Sequence, residues 1–123
     1  MKLLLDTHAF LWWDAKDARL AEGIRSAIAS PQNEVYVSAA TVWEIAIKRA
    51  SGKLIFMQPV GKSIEGYGFS SIPITVEHAE RAGGLPQLHR DPFDRLLVAQ
   101  AQLEGLVLVT VDDQILRYSV PHL

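Results

Sequence analysis

The chain has 123 residues, 49% hydrophobic and 21% charged, with no cysteine and a formal net charge of −2. That length suits one compact domain spanning residues 1–123, with enough apolar material for a core and too little charge for a disordered chain. The lack of thiols excludes disulfides and thiolate-bound zinc, so a metal would need oxygen or imidazole ligands. The lack of a basic surplus argues against a passive nucleic-acid binder, but less against an enzyme whose acids carry cations.

Asp6 follows Leu3-Leu4-Leu5 and breaks any secretory core. No apolar run approaches the ~20 residues of a membrane helix, so a soluble, cytoplasmic protein is expected. Lys2–Leu5 reads as a buried strand, and 7–13 as a helix after it. Leu20, Ile24, Ala27 and Ile28 mark one face of a helix over 17–30, ended by Ser30-Pro31. A strand over 34–37 leads to a helix ending at Ser51-Gly52. Residues 60–69 read as a glycine-weakened helix, 71–74 as a strand and 75–82 as a helix. The strongest helix covers 93–103 and stops at Gly105, before a buried strand over 106–109. A helical turn over 114–118 and an edge strand from Val120 complete the chain. Alternating strands and helices imply an α/β fold, a mostly parallel sheet of about four to five strands covered on both faces. Ligands bind such sheets at the carboxyl ends of the strands.

Four acids lie where they could reach that edge. Asp6 directly follows the first strand, and Glu44 lies in the first turns of the helix after the second. Asp94 opens the strong helix, and Asp112 follows the last buried strand. Two carboxylates about 4 Å apart repel by roughly 4 kcal/mol at an effective dielectric of about 20. Several converging acids would therefore be protonated or would bind cations, and an oxygen-only set suits Mg²⁺ or Mn²⁺. Such ions bind phosphates and activate water, which is phosphodiester-hydrolysis chemistry. Each acid also has a structural reading. Asp6 fits a helix N-cap, and Thr41–Glu44 fits a capping box, with Lys48 an i,i+4 partner for Glu44. Asp91-Pro92 fits an N-cap and first helical residue, with Asp94 complementing the helix dipole. Asp112-Asp113 fits a polar turn.

Leu3-Leu4-Leu5-Asp6-Thr7-His8 resembles the opening of PIN-domain proteins, and so does the run from Val37 to Lys48 containing Trp43-Glu44. The segment His89-Arg90-Asp91-Pro92-Phe93-Asp94-Arg95-Leu96-Leu97-Val98-Ala99-Gln100-Ala101 is similar to the central signature of VapC-type toxins of type II VapBC toxin–antitoxin systems. Leu108-Val109-Thr110-Val111-Asp112 resembles the last acidic motif. The resemblance implies a three-layer α/β/α PIN-like fold and a Mg²⁺- or Mn²⁺-dependent endoribonuclease. Asp6, Glu44, Asp94 and Asp112 would be its catalytic and metal-binding acids, with Asp6 and Asp94 the firmest ligands and Thr110 orienting the shell. It also implies an RNA substrate, a cognate VapB-type antitoxin lying over the groove, and a homodimer.

Other residues carry two readings each. Lys48, Arg49 and Lys53 could steer phosphates or simply be solvated. Arg95 could clamp a phosphate or pair with Asp91 or Asp94 at the surface. His8 could serve as a general base. Trp12, Trp13 and Trp43 could stack on bases, although core packing is the default for Trp43. Adjacent Trp12 and Trp13 cannot both face one core, which leaves one for a protein contact. Phe56 and Met57 read as loop anchors. The alternatives to a toxin are an RNA-processing PIN nuclease, an inactive metal-binding interaction domain and a Mg²⁺-dependent phosphotransfer protein.

Overall fold

A computed structural model describes residues 1–123. In chain order it contains β1 (Lys2–Leu5), α1 (Thr7–Asp14), α2 (Glu22–Ala29), β2 (Glu34–Ser38), α3 (Ala39–Ala50), α4 (Val60–Gly66), β3 (Ser70–Ile72), α5 (Val76–Gly84), α6 (Pro92–Glu104) and β4 (Val107–Val109), with a short 3-10 turn at Ile115–Arg117. The strands form one sheet in the order β3-β2-β1-β4, and every pair is parallel. All strand carboxyl ends therefore lie along one edge, with β1 central.

Side-chain alternation along β1 divides the interior in two. Leu3 and Leu5 join Phe10, Ile28, Val35, Val37, Ile45 and Ile64 on one face. Leu4 joins Leu97, Val98, Ala101, Leu108 and Ile115 on the other. Burying each such leucine or isoleucine contributes about 1.5–3 kcal/mol. Both faces of the sheet are thus covered, giving the three layers expected from the sequence.

The differences from sequence expectation have local causes. Helix α2 begins at Glu22, not Asp17, because the Asp17 carboxylate accepts the backbone and side-chain N–H groups of Arg19 and holds a turn there. Thr41 is not an N-cap. Ser38 caps α3 by accepting the Ala40 N–H, so Glu44 lies a full turn inside the helix and no capping box forms around it. The C-terminal edge strand shrinks to a bridge between Leu108 and His122, with Pro121 interrupting the donor series. Strand β3 starts one residue early and ends at Ile72, before Pro73. No helix is long and apolar enough to cross a membrane.

Candidate metal centre

Asp6 sits at the middle of the carboxyl edge. Its backbone N–H donates to the Val109 carbonyl at 3.0 Å, extending the β1–β4 ladder by one step. Its carboxylate accepts the Ala9 N–H at 2.7 Å, so it does cap α1 while lying 2% exposed. Burial raises its pKa; the Thr110 hydroxyl, the Ala9 N–H and the charge of His8 pull it down, and the charge of Asp112 pushes it up.

Asp94 reaches the same edge from the opposite direction. Asp91 caps α6 by accepting the Phe93 and Asp94 N–H groups, with Pro92 in the first turn. Because α6 precedes β4 and runs back across the sheet, its N-terminus overhangs the strand ends. Burial lifts the Asp94 carboxyl from 3.8 to about 6, reinforced by the charges of Asp91 and Asp6 and opposed by a hydrogen bond from His89. Asp112 enters from beyond β4. Its N–H donates to the Thr110 hydroxyl at 3.0 Å, and one carboxylate oxygen accepts the Gln114 N–H at 2.8 Å. Asp113 is exposed.

The structure thus brings Asp6, Asp94 and Asp112 within electrostatic reach of one another. Glu44 is joined to them indirectly. It is 6% exposed, and one oxygen accepts the hydroxyl of Thr7, the neighbour of Asp6, at 2.8 Å. Its other oxygen accepts Lys48 Nζ at 2.7 Å, so the i,i+4 pair anticipated from sequence is present as well. Thr110 links Asp6 and Asp112: its hydroxyl is a hydrogen-bond partner of the Asp6 carboxylate and accepts the Asp112 N–H.

One side chain at the site was given no role in the sequence reading. His89 Nε2 lies 2.8 Å from Asp94 Oδ2 and 3.8 Å from Asp112 Oδ2. Together these three offer ligand atoms all within 4.8 Å of one another. The signal in the sequence is a histidine beside the Asp91-Pro92-Phe93-Asp94 run. Arg95 neither clamps phosphate nor pairs at the surface. It is 8% exposed, and its guanidinium donates to the carbonyls of Ala82, Leu85 and Pro86 and to the Tyr118 hydroxyl.

Other expectations need correction too. Lys48 is engaged by Glu44, and Arg49 donates to the Phe56 and Gln58 carbonyls, so of the basic cluster only Lys53 has a side chain without such a bond. Trp43 is not in the core: it is 58% exposed, because Ala40, Thr41, Glu44 and Ile45 form the buried side of α3. It packs edge-on against Phe93 at 5.2 Å. Trp12 and Trp13 are both partly buried by different neighbours, Trp12 beneath Arg19 and Trp13 against Tyr67 and Phe69. Phe56 anchors its loop on Phe10, whereas Met57 is exposed. His8 is exposed beside Trp12.

The donor set fits a hard divalent cation. Carboxylate oxygens dominate it, no thiol is present, and two of its acids are held above their ordinary pKa, chiefly by burial and to a smaller extent by neighbouring carboxylates, a cost that a bound divalent cation would offset.

Residues 3–121 match the PIN domain model. The chain is 32% identical to Ribonuclease VapC22 of Mycobacterium tuberculosis, over 98% of this chain and 94% of that one. Its fold is similar to that of the VapBC2 crystal structure from Rickettsia felis bound to a promoter DNA fragment, with a TM-score of 0.69, 17% identity and coverage of 100% of this chain and 98% of that chain. DNA-bound VapBC from Salmonella typhimurium superposes with a TM-score of 0.66 at 17% identity, covering 100% of this chain and 97% of that chain. With the parallel sheet, the acids along its carboxyl edge and this match over nearly the whole chain, the protein belongs to the PIN-domain family.

Proposed function

We propose that the chain is a divalent-metal-dependent endoribonuclease, the toxin of a toxin–antitoxin pair, with Mg²⁺ or Mn²⁺ as its ion. The observation that carries this reading is the meeting of Asp6, Asp94 and Asp112 at the carboxyl edge of the sheet, where burial and mutual repulsion raise the first two. The ribonuclease activity in the name of the Mycobacterium tuberculosis relative supports the substrate class.

Asp6 and Asp94 would be the principal ligands, with Asp112 completing the set. A divalent ion held there neutralises phosphate charge and lowers the pKa of the attacking water. Asp6 is fixed by the Ala9 N–H and by the strand ladder, so it holds its position without reorganising when substrate arrives. Glu44, oriented by Thr7 and Lys48, is placed to accept a proton or to bind through water. Thr110 and the Gln114 N–H restrain Asp112. The exposed Trp43 packs edge-on against Phe93, the residue before Asp94, and would offer a nucleotide base a stacking surface there.

The two similar structures are VapBC structures by name, which supports a VapB-type partner for this chain, with its peptide occupying the acidic groove. The test is incubation of antitoxin-free protein with total cellular RNA in Mn²⁺, in Mg²⁺ and in chelator, with Asp94→Asn in parallel. Cleavage at few sites, dependent on metal and lost in the variant, is expected. Metal binding without cleavage of any RNA would favour an inactive interaction domain.

A further inference from the structure

Resting on the metal-centre reading above, we infer that His89 is a direct ligand of the ion, making the site a mixed imidazole–carboxylate centre that takes Mn²⁺ in preference to Mg²⁺. In an octahedral site with bonds of about 2.1 Å, adjacent ligand atoms lie about 3 Å apart and opposite ones about 4.2 Å. His89 Nε2 stands 2.8 Å from Asp94 Oδ2 and 3.8 Å from Asp112 Oδ2. The first separation matches two adjacent ligands of one ion, the second falls between the adjacent and opposite values, and all three ligand atoms lie within 4.8 Å of one another. Small side-chain rotations complete the triangle.

The position of His89 is built by the fold. Its backbone N–H donates to the Tyr118 hydroxyl at 3.0 Å, and its carbonyl accepts from Arg95 at 3.4 Å. The preceding residues are fastened by the same groups. Tyr118 donates to the Pro86 carbonyl at 2.8 Å, and Arg117 donates to the Leu88 carbonyl at 3.0 Å. Tyr118 and Arg95 are both buried. A histidine serving only as a surface partner for Asp94 would not need its loop tied down from two sides. A ligand does, because metal geometry tolerates errors of only a few tenths of an ångström.

The chemical consequence is selectivity. Carboxylate and water suit Mg²⁺, whereas imidazole shifts preference toward first-row transition ions, and Mg²⁺ gives up its waters reluctantly. With imidazole in the set, the site should hold Mn²⁺ more tightly than Mg²⁺.

The experiment is pulsed electron paramagnetic resonance of Mn²⁺ bound to the full chain, with Mn²⁺ and Mg²⁺ affinities measured by calorimetry. Wild type, His89→Asn, His8→Asn and Asp94→Asn are compared. The expected result is ¹⁴N modulation from a bound imidazole in the wild type, retained in His8→Asn and lost in His89→Asn. Mn²⁺ affinity should fall about 10–100-fold in His89→Asn while Mg²⁺ affinity changes less than about threefold. Because the wild-type spectrum alone reports a nitrogen ligand, a misfolded variant does not decide the question. Mn²⁺ bound in an Asp94-dependent way without ¹⁴N modulation, or modulation that survives in His89→Asn, overturns the role of His89 and leaves the acidic centre standing. Absence of Asp94-dependent Mn²⁺ binding overturns both.

Discussion

Replacing Asp94 with Asn should stabilise the metal-free protein while abolishing its chemistry. Burial and the charges of Asp91 and Asp6 lift the Asp94 carboxyl from 3.8 to about 6, which corresponds to ~3 kcal/mol of destabilisation once the group is ionised. Its side chain retains 14% exposure, and solvent screening at the rim trims this to on the order of 2 kcal/mol. Asn removes the charge and keeps a polar contact for His89. The sign follows from proton binding: between 3.8 and about 6, the folded state binds the proton more tightly than the unfolded chain, so stability falls as pH rises. The advantage of Asp94→Asn should therefore be small at pH 4, grow through this window and level off above about pH 6. For a chain of 123 residues, ~2 kcal/mol raises Tm by about 5–8 °C. The assay is thermal unfolding in chelator at pH 4 and at pH 7.5. Adding Mn²⁺ should then raise the Tm of the wild type and not that of the variant. A variant that melts below the wild type at pH 7.5 in chelator, or by the same margin at both pH values, would refute the reasoning.

Arg95→Met should cost about 3–5 kcal/mol, because the carbonyls of Ala82, Leu85 and Pro86 lose their shared donor in a buried setting; denaturant unfolding would show this as a lower midpoint. Thr7→Val should leave Glu44 with Lys48 as its only side-chain partner, lowering stability by about 1–2 kcal/mol and slowing RNA cleavage about tenfold, as single-turnover assays would show. Thr110→Val removes a hydroxyl that lowers the Asp6 pKa and accepts the Asp112 N–H. Mn²⁺ affinity should drop about tenfold by calorimetry at neutral pH, and by more as the pH is lowered. Trp43→Ala should change Tm little, since the side chain is 58% exposed, and should raise KM for RNA more than it lowers kcat.

The fold was legible where one physical signal dominated. The Leu3-Leu4-Leu5 run, all fully buried, reads as an interior strand from its length and the charge that ends it. The alternation of strands with amphipathic helices required crossover connections and a parallel sheet. From there Asp6 and Asp112 could be placed near the carboxyl edge of the sheet, because each follows a strand, but not shown to converge. What stayed hidden depended on side-chain reach across sequence. Arg95 reads as a surface cation until six buried or half-buried acceptors close around it. His89 reads as one polar residue in a charged stretch until Tyr118 and Arg95, from distant turns, fix its loop. Trp43 looked like core by residue type, but helical phase decided otherwise, since Glu44 takes the buried side. The start of α2 was misplaced because the competing hydrogen bonds of Asp17 are local and invisible to apolar periodicity.

Anomalous scattering from a crystal grown with Mn²⁺ tests the central claim most directly. A peak bounded by carboxylate oxygens of Asp6, Asp94 and Asp112, with bonds of about 2.1–2.3 Å, and lost in crystals of Asp94→Asn, is the result expected. Saturating Mn²⁺ with no peak among these three acids, or a peak that persists without Asp94, would contradict the account.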